Sequence, residues 1–185
     1  MSEAAFTGEN RGSFASRALA FTTAFFFCSL TAGALVITLL GNARHPGVTL
    51  TLPELVAYIG QFGMEFLQQA NIRCTLDLPD HPPERPVSAE LRHSLFLIVK
   101  EALNNVVRHA RASEVRLQIT ISASLLELLI LDNGCGIESL SHDPQADGLR
   151  NMRARAEELA AQFHLESAPG AGTKISVRYI WPSAN

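Results

Sequence analysis

The chain has 185 residues, 47% of them hydrophobic, and a formal net charge of -3. That length holds one sizeable domain and an appendage, and the weak negative charge gives no support to a nucleic-acid surface. Cys28, Cys74 and Cys135 are odd in number and lack metal-ligand spacing, so they indicate no metal site and fit a reducing compartment.

Residues 1–17 read as an N-terminal tail. Ala18 to Leu40 then runs without a charge and includes Phe25-Phe26-Phe27 and Leu35-Val36-Ile37. A spanning helix needs roughly 20 such residues, so a transmembrane helix is expected over 18–40, anchored by Arg17 and Arg44. A signal peptide, with Arg11 and Arg17 as its basic region and Gly41-Asn42-Ala43 as its cleavage site, ranks lower because its apolar core spans only about 7–15 residues. A buried core helix ranks third for want of a polar face. Residues 41–51 form a linker broken by Pro46 and Gly47, and one domain is expected over 52–182.

Pro53 suits a first helical turn. Leu55, Val56, Ile59, Phe62, Met64, Phe66 and Leu67 build an apolar stripe in a helix ending near Asn71. Ile72 to Leu78 alternates as a half-buried strand does, and Pro79 to Pro86 is a proline-rich connection. Ser88 caps a long helix, in which Leu91, Leu95, Ile98, Val99, Ala102, Leu103 and Val106 face a core and which closes at Ala110. Val115, Leu117, Ile119 and Ile121 alternate with polar residues in a strand with one wet face. A turn at 122–124 leads to a more buried strand over Leu125–Leu131, making an antiparallel hairpin. Gly148 to Phe163 is a helix, with Leu149, Met152, Ala156 and Leu159 inward. His164–Ser167 and Thr173–Ile180 are strands. This order predicts an α/β (α+β) two-layer sandwich, a mixed, mainly antiparallel sheet with helices on one face.

Four segments of this domain carry chemistry. Glu101 and Asn105 leave the same side of their helix, four residues apart. A carboxylate and an amide there suit a hydrated divalent cation, which prefers oxygen ligands; the bland alternative is a polar helix face. In Asp132-Asn133-Gly134-Cys135-Gly136, a carboxylate at a strand end precedes glycines that let backbone approach a ligand. Such a carboxylate can accept a hydrogen bond from an exocyclic amine, as adenine offers. Gly148-Leu149 opens a helix whose free N–H groups suit a phosphate, and Gly170-Ala171-Gly172-Thr173 is a tight turn into a strand. Each alone is also what an ordinary turn looks like. All four in this order are hard to explain by turns.

With these motifs the sequence resembles the ATP-binding domain of sensor histidine kinases, of the nitrate-sensor and membrane-fluidity-sensor class, within the gyrase, heat-shock chaperone, kinase and mismatch-repair superfamily. Glu101-Ala-Leu-Asn-Asn-Val-Val-Arg-His-Ala is similar to that class's N box, Asp132-Asn-Gly-Cys-Gly-Ile to its first glycine box, Gly148-Leu-Arg-Asn-Met to the second and Gly170-Ala-Gly-Thr-Lys-Ile to the third. The similarity covers about 52–180. It implies a Bergerat-type ATP-binding fold, with ATP and Mg2+ bound. By resemblance Asn105 coordinates the magnesium, and Glu101 polarises the attacking group or holds metal-bound water. Arg108 and His109 lie near the phosphates, and Asp132 accepts from the adenine amine in a pocket shaped by Gly134 and Gly136. Ile137 opens a lid over 137–147, Gly148 and Leu149 meet the phosphates, and Gly170 and Gly172 lead to Thr173, which backs the adenine through a water. No P-loop lysine motif is present, which excludes a P-loop NTPase.

Three departures qualify the resemblance. Ala146 stands where the second box usually has glycine, and Ala160-Ala161 where paired glycines usually follow the helix; these exchanges should stiffen the lid or strain a helix end without removing a ligand. No segment between Asn42 and Ser88 matches the class's dimerising hairpin with its phosphoacceptor histidine. His93 lies on the ATP-domain helix itself and reads as a surface or structural histidine. The resemblance therefore implies a histidine kinase catalytic domain whose phosphate goes to a histidine supplied in trans by a hairpin protein or kinase subunit, with a response regulator downstream and homodimerisation open. Alternatives are a non-catalytic ATP-binding module or truncated remnant, and a protein serine kinase of the anti-sigma type. The flanking arginines would put the N-terminus in the cytoplasm; ATP binding requires the domain there as well, which one span cannot satisfy, and the chemistry outweighs the local charge bias, so the expected placement is the cytoplasmic membrane with the domain facing the cytoplasm.

Overall fold

The computed structural model describes residues 51–137 and 146–182. The expected membrane helix over 18–40, the linker up to residue 50 and residues 138–145 of the expected lid lie outside the described residues. Among the described residues no helix is long and apolar enough to cross a membrane.

Helix α1 spans Leu52–Gln69. The Glu54 carboxylate reaches back to accept from the Thr51 amide at 2.7 Å, satisfying a donor that the helix start leaves free. Leu52, Leu55, Val56, Ile59, Phe62 and Leu67 are buried, but Met64, expected inward, is 49% exposed. At about 100° per residue it sits about 140° around the helix from Ile59, off the apolar stripe. The helix closes with Asn71 at φ 56°, while the Asn71 and Ile72 amides donate back to Gln68 and Leu67. Asparagine tolerates this left-handed position better than most residues.

Strand β1, Arg73–Asp77, is followed by α2, Ala89–Asn105, whose first free amides include Leu91 N, donating to Ser88 Oγ at 3.1 Å. The helix does not run regularly to Ala110 as expected. Val106–Ala110 form a π-helical turn that ends at Arg111 with φ 53°. Strands β2, Glu114–Ile121, and β3, Leu125–Asp132, make the expected hairpin. Helix α3 spans Ala146–Glu158, β4 is Gln162–Ser167 and β5 is Thr173–Ile180. The expected helix through Phe163 is thus too long at its end. The Ala160 and Ala161 amides donate to Glu157 and Ala156, a Schellman closure with Ala160 at φ 53°, and Phe163 belongs to β4.

The five strands lie in the order β1-β2-β3-β5-β4. Only β1 and β2 run parallel; the other three pairings are antiparallel. Alternation decides the faces. Val115, Leu117 and Ile119, Leu126, Leu128 and Ile130, and Ile175 and Val177 are buried, as are Leu95, Ile98, Val99 and Leu103 of α2 and Met152 and Ala156 of α3. The other face carries pairs such as Arg178–Glu127 at 3.2 Å. The expected two-layer sandwich is the fold observed.

Candidate functional site

Asp132 ends the buried row Leu126, Leu128, Ile130 on β3, so the alternation that builds the core places its carboxylate on the helix-covered face. It is 5% exposed. Its Oδ1 accepts from Gly134 N at 2.8 Å, and the amide and hydroxyl of Thr173, its register partner on β5, also donate to it. Burial pushes the carboxyl above its ordinary range, and the Gly134 and Thr173 hydrogen bonds draw it partly back.

The loops around this carboxylate are locked to one another through their backbones. Cys135 N donates to Ala110 O at 2.7 Å, where the π turn ends, and Gly170 N donates to Cys135 O at 2.7 Å. Ile137 N donates to Ser167 Oγ at 2.9 Å, and that hydroxyl donates to Gly172 O at 2.9 Å. Asn133 Oδ1 accepts from the Ser113 and Glu114 amides, both at 3.0 Å. Two glycines make this interlock possible. Gly172 has φ +75°, and a Cβ there would run into the Asp132 carbonyl. Gly136 has φ +69°, and a Cβ would strike the Ala168 carbonyl.

A cleft opens beside the interlock. Ala102, Asn105, Val106 and Ala110 form its helical wall, Ile130 and Ile175 its sheet wall, and Asp132 and Thr173 its polar end; Gly136, Ile137 and Leu149 complete it. Asn105 Nδ2 is buried without a hydrogen-bond partner among the described residues. An unmatched amide in a cleft wall is a handle for a ligand oxygen, and its carbonyl oxygen is a hard-cation ligand. One turn earlier on α2, the Glu101 carboxylate lies against Gly148 near the start of α3, so close that any Cβ at 148 would collide with it. The donor set at this edge, an amide oxygen and a carboxylate, fits a magnesium ion accompanying an anionic ligand.

Of the residues singled out from sequence, Asn105, Asp132, Gly136, Ile137, Leu149 and Thr173 line the cleft, and Glu101 and Gly148 meet at its edge. Gly134, Gly170 and Gly172 shape the loops without lining the cleft. Arg108 is exposed and His109 half-buried on the π turn, and neither lines it. Sequence reading missed Ala102, Val106, Ala110, Ile130 and Ile175 as cleft residues, because an apolar pocket wall and an apolar core have the same periodicity. It also missed Ser167. Nothing local marks a serine at a strand end as the hub joining two distant loops.

The family described as histidine kinase-, DNA gyrase B-, and HSP90-like ATPase matches residues 90–182. Sensor protein VraS of Staphylococcus saprophyticus is 39% identical over 95 residues, 51% of this chain and 27% of that protein. Sensor histidine kinase YhcY of Bacillus subtilis is 40% identical over 90 residues, 48% of this chain and 24% of that protein. The chain thus spans about a quarter of the length of these relatives. The histidine kinase domain of the Erythrobacter litoralis EL346 blue-light activated histidine kinase shares the fold, with a TM-score of 0.56 at 23% identity over 68% of this chain and 60% of that one.

Proposed function

The chain belongs to the histidine kinase-, DNA gyrase B-, and HSP90-like ATPase family, and from that premise we propose that it is the catalytic part of a two-component protein-histidine kinase, passing the γ-phosphate of ATP to a histidine supplied in trans. Its domain is an ATP-binding domain of the sensor histidine kinase kind. The observation that carries the reading is Asp132. A carboxylate 5% exposed at the end of a mostly apolar cleft is costly to bury, and a ligand amine donating to it offsets that cost. Adenine supplies such an amine and an apolar ring of matching character.

In this reading Asp132 and Thr173 hold the base, with Gly134 and Gly136 shaping the loop beside them. Ile137 and Leu149 close on the nucleotide, and Gly170 and Gly172 hold the third loop in place. Asn105 and Glu101 would hold Mg2+, which when bound would neutralise phosphate charge. Arg108 and His109 lie on the phosphate side. An imidazole nitrogen of the acceptor attacks the γ-phosphorus as the bond to the bridging oxygen breaks. The electron pair leaves with ADP, and Glu101 takes the imidazole proton. Support for an acceptor in trans is that none of the chain's six histidines sits in a hairpin pattern, and His93 lies on α2 itself. A response regulator would act downstream, and residues 18–40 would tether the domain to the cytoplasmic face of a membrane.

The test is a magnesium-ATP titration of the full chain. Saturable binding is expected, weakened at least about tenfold in Asp132→Asn, since a hydrogen bond to a charged group contributes about 1.5–3 kcal/mol. Asn105→Asp should alter the magnesium dependence more than the affinity for the base. A folded wild-type chain that binds no ATP would sink the proposal.

A further inference from the structure

Ser167 ends β4 and does not line the nucleotide cleft, yet its hydroxyl reaches both loops that shape it. Its Oγ accepts from Ile137 N at 2.9 Å, donates to Gly172 O at 2.9 Å and stands 3.1 Å from Thr173 Oγ1. Strand register explains the last contact. Ser167 opposes Thr173 across β4 and β5, and Thr173 opposes Asp132 across β5 and β3, so the three side chains share one face of the sheet. A polar row thus runs from the edge strand to the buried carboxylate.

The row is one proton short. Each hydroxyl has a single proton to give, while a carbonyl and an ionised carboxylate only accept. Three contacts, Ser167 to Gly172 O, Ser167 to Thr173 and Thr173 to Asp132, therefore share two protons. With Ser167 giving to Gly172 O and Thr173 giving to Asp132, oxygen lone pairs face each other between the two hydroxyls. The bonds to Ile137 N and Gly172 O hold the serine in place, so its oxygen does not swing away from Thr173. A ligand donor at Asp132 supplies the missing proton. Thr173 then turns its own to Ser167, and every contact in the row becomes a hydrogen bond.

We infer that Ser167 is a positioning residue for base selection: acting through Thr173, it leaves the polar end of the cleft wanting a donor, so that a purine with an exocyclic amine is preferred over one without. The inference rests on the nucleotide reading above and adds to it a residue outside the cleft that sets the preference. The amine gains twice. It donates to Asp132 directly, and it lets the Ser167–Thr173 contact become a hydrogen bond, whose net worth between neutral groups is about fivefold in an equilibrium constant. A base that brings no donor leaves the lone pairs opposed.

The test measures the affinity of the full chain, with magnesium, for ATP and for purine riboside triphosphate, which has hydrogen in place of the amine. The ratio of the two affinities is the readout. Ser167→Ala should lower that ratio about fivefold, because ATP loses the completed row and the analogue has no such row to lose. Ser167→Thr, which keeps the hydroxyl, should restore it. In a Thr173→Val background, Ser167→Ala should leave the ratio where Thr173→Val alone sets it. A purely structural role would weaken both nucleotides alike, so an unchanged ratio in Ser167→Ala overturns the inference. An equal fall with and without Thr173 overturns it too, since Ser167 would then not act through that residue. Should Ser167→Ala fail to fold, Thr173→Val alone must lower the ratio, and a wild-type ratio there overturns the inference. A folded wild-type chain that binds neither nucleotide refutes the nucleotide reading, and this inference with it.

Discussion

The α1 side of the sheet and the glycine-loop side are held by different forces. On the α1 side, Phe96 packs against Tyr58 at 5.1 Å and Phe62 at 5.0 Å between ring centroids, and the tight approaches end on side-chain tips. A Cβ at Gly63 would meet the Leu117 Cδ2 methyl at 2.9 Å, an atom that can swing away. On the other side, the approaches are backbone to backbone, as where Gly172 lies over the Asp132 carbonyl. Apolar packing tolerates adjustment; crossed backbones with fixed hydrogen bonds do not. The first arrangement makes a core, and the second fixes the loops around Asp132 through their backbones.

The sharpest way to test that contrast is to damage each side and read both stability and ATP binding. Phe96→Ala should have the largest effect on stability, about 3–5 kcal/mol, read as a fall in the denaturation midpoint. ATP affinity of the molecules that stay folded should hold, because Phe96 does not line the nucleotide cleft. Gly172→Ala should invert the pattern. It forces a side chain into a left-handed φ, costing about 1–2 kcal/mol, and into the Asp132 backbone besides, so ATP binding should be lost while much of the fold persists. Gly63→Ala, by contrast, should shift stability by no more than about 1 kcal/mol, since helix propensity gained offsets the shifted leucine. Equal damage from both glycine substitutions would break the comparison.

A subtler effect comes from Asp132. Its folded-state pKa is raised, chiefly by burial, so between its ordinary value and that raised value the folded chain binds more protons than the unfolded one. Stability from this group is therefore present at low pH and lost as pH rises through that window. Asp132→Asn removes the loss. The melting temperature of the variant relative to wild type should move in the variant's favour from about pH 3 to pH 7, even as ATP binding weakens. A difference that does not change with pH would mean that the carboxylate is not penalised by burial.

The smallest expected effect compares the two helix ends that close alike. Asn71 and Ala160 both occupy the left-handed position after a helix, but alanine lacks the side chain that eases it. Ala160→Gly should stabilise the domain by about 1 kcal/mol, seen as a rise of a few degrees in melting temperature. Asn71→Gly should gain less. Ala160 thus answers the strain expected from the Ala160-Ala161 pair, and does so at the end of α3, far along the helix from Gly148.

The residues of the site were legible because their spacing is local. Glu101 and Asn105 are one helical turn apart, Asp132 ends a row of alternating apolar residues, and each glycine pair sits within a single turn. Local geometry of that kind follows from a sequence window. The role of Ser167 did not, since its hydroxyl joins Ile137 to Gly172 across 30 positions of chain in one direction. Nor did the π turn at Val106–Ala110, whose final carbonyl is taken by Cys135 N, a partner that no helix pattern contains.

By itself the sequence determined the layers, the strand pairing of the hairpin and the identity of the polar residues that meet at the cleft, because periodicity fixes which side chains share a face. Tertiary structure decided which apolar residues wall a cleft rather than fill a core, where α2 widens and α3 stops, and that Glu101 lies against Gly148 of another helix. Those outcomes depend on backbone hydrogen bonds and packing between segments far apart in the chain. Their energies are set only once the sheet has brought the segments together.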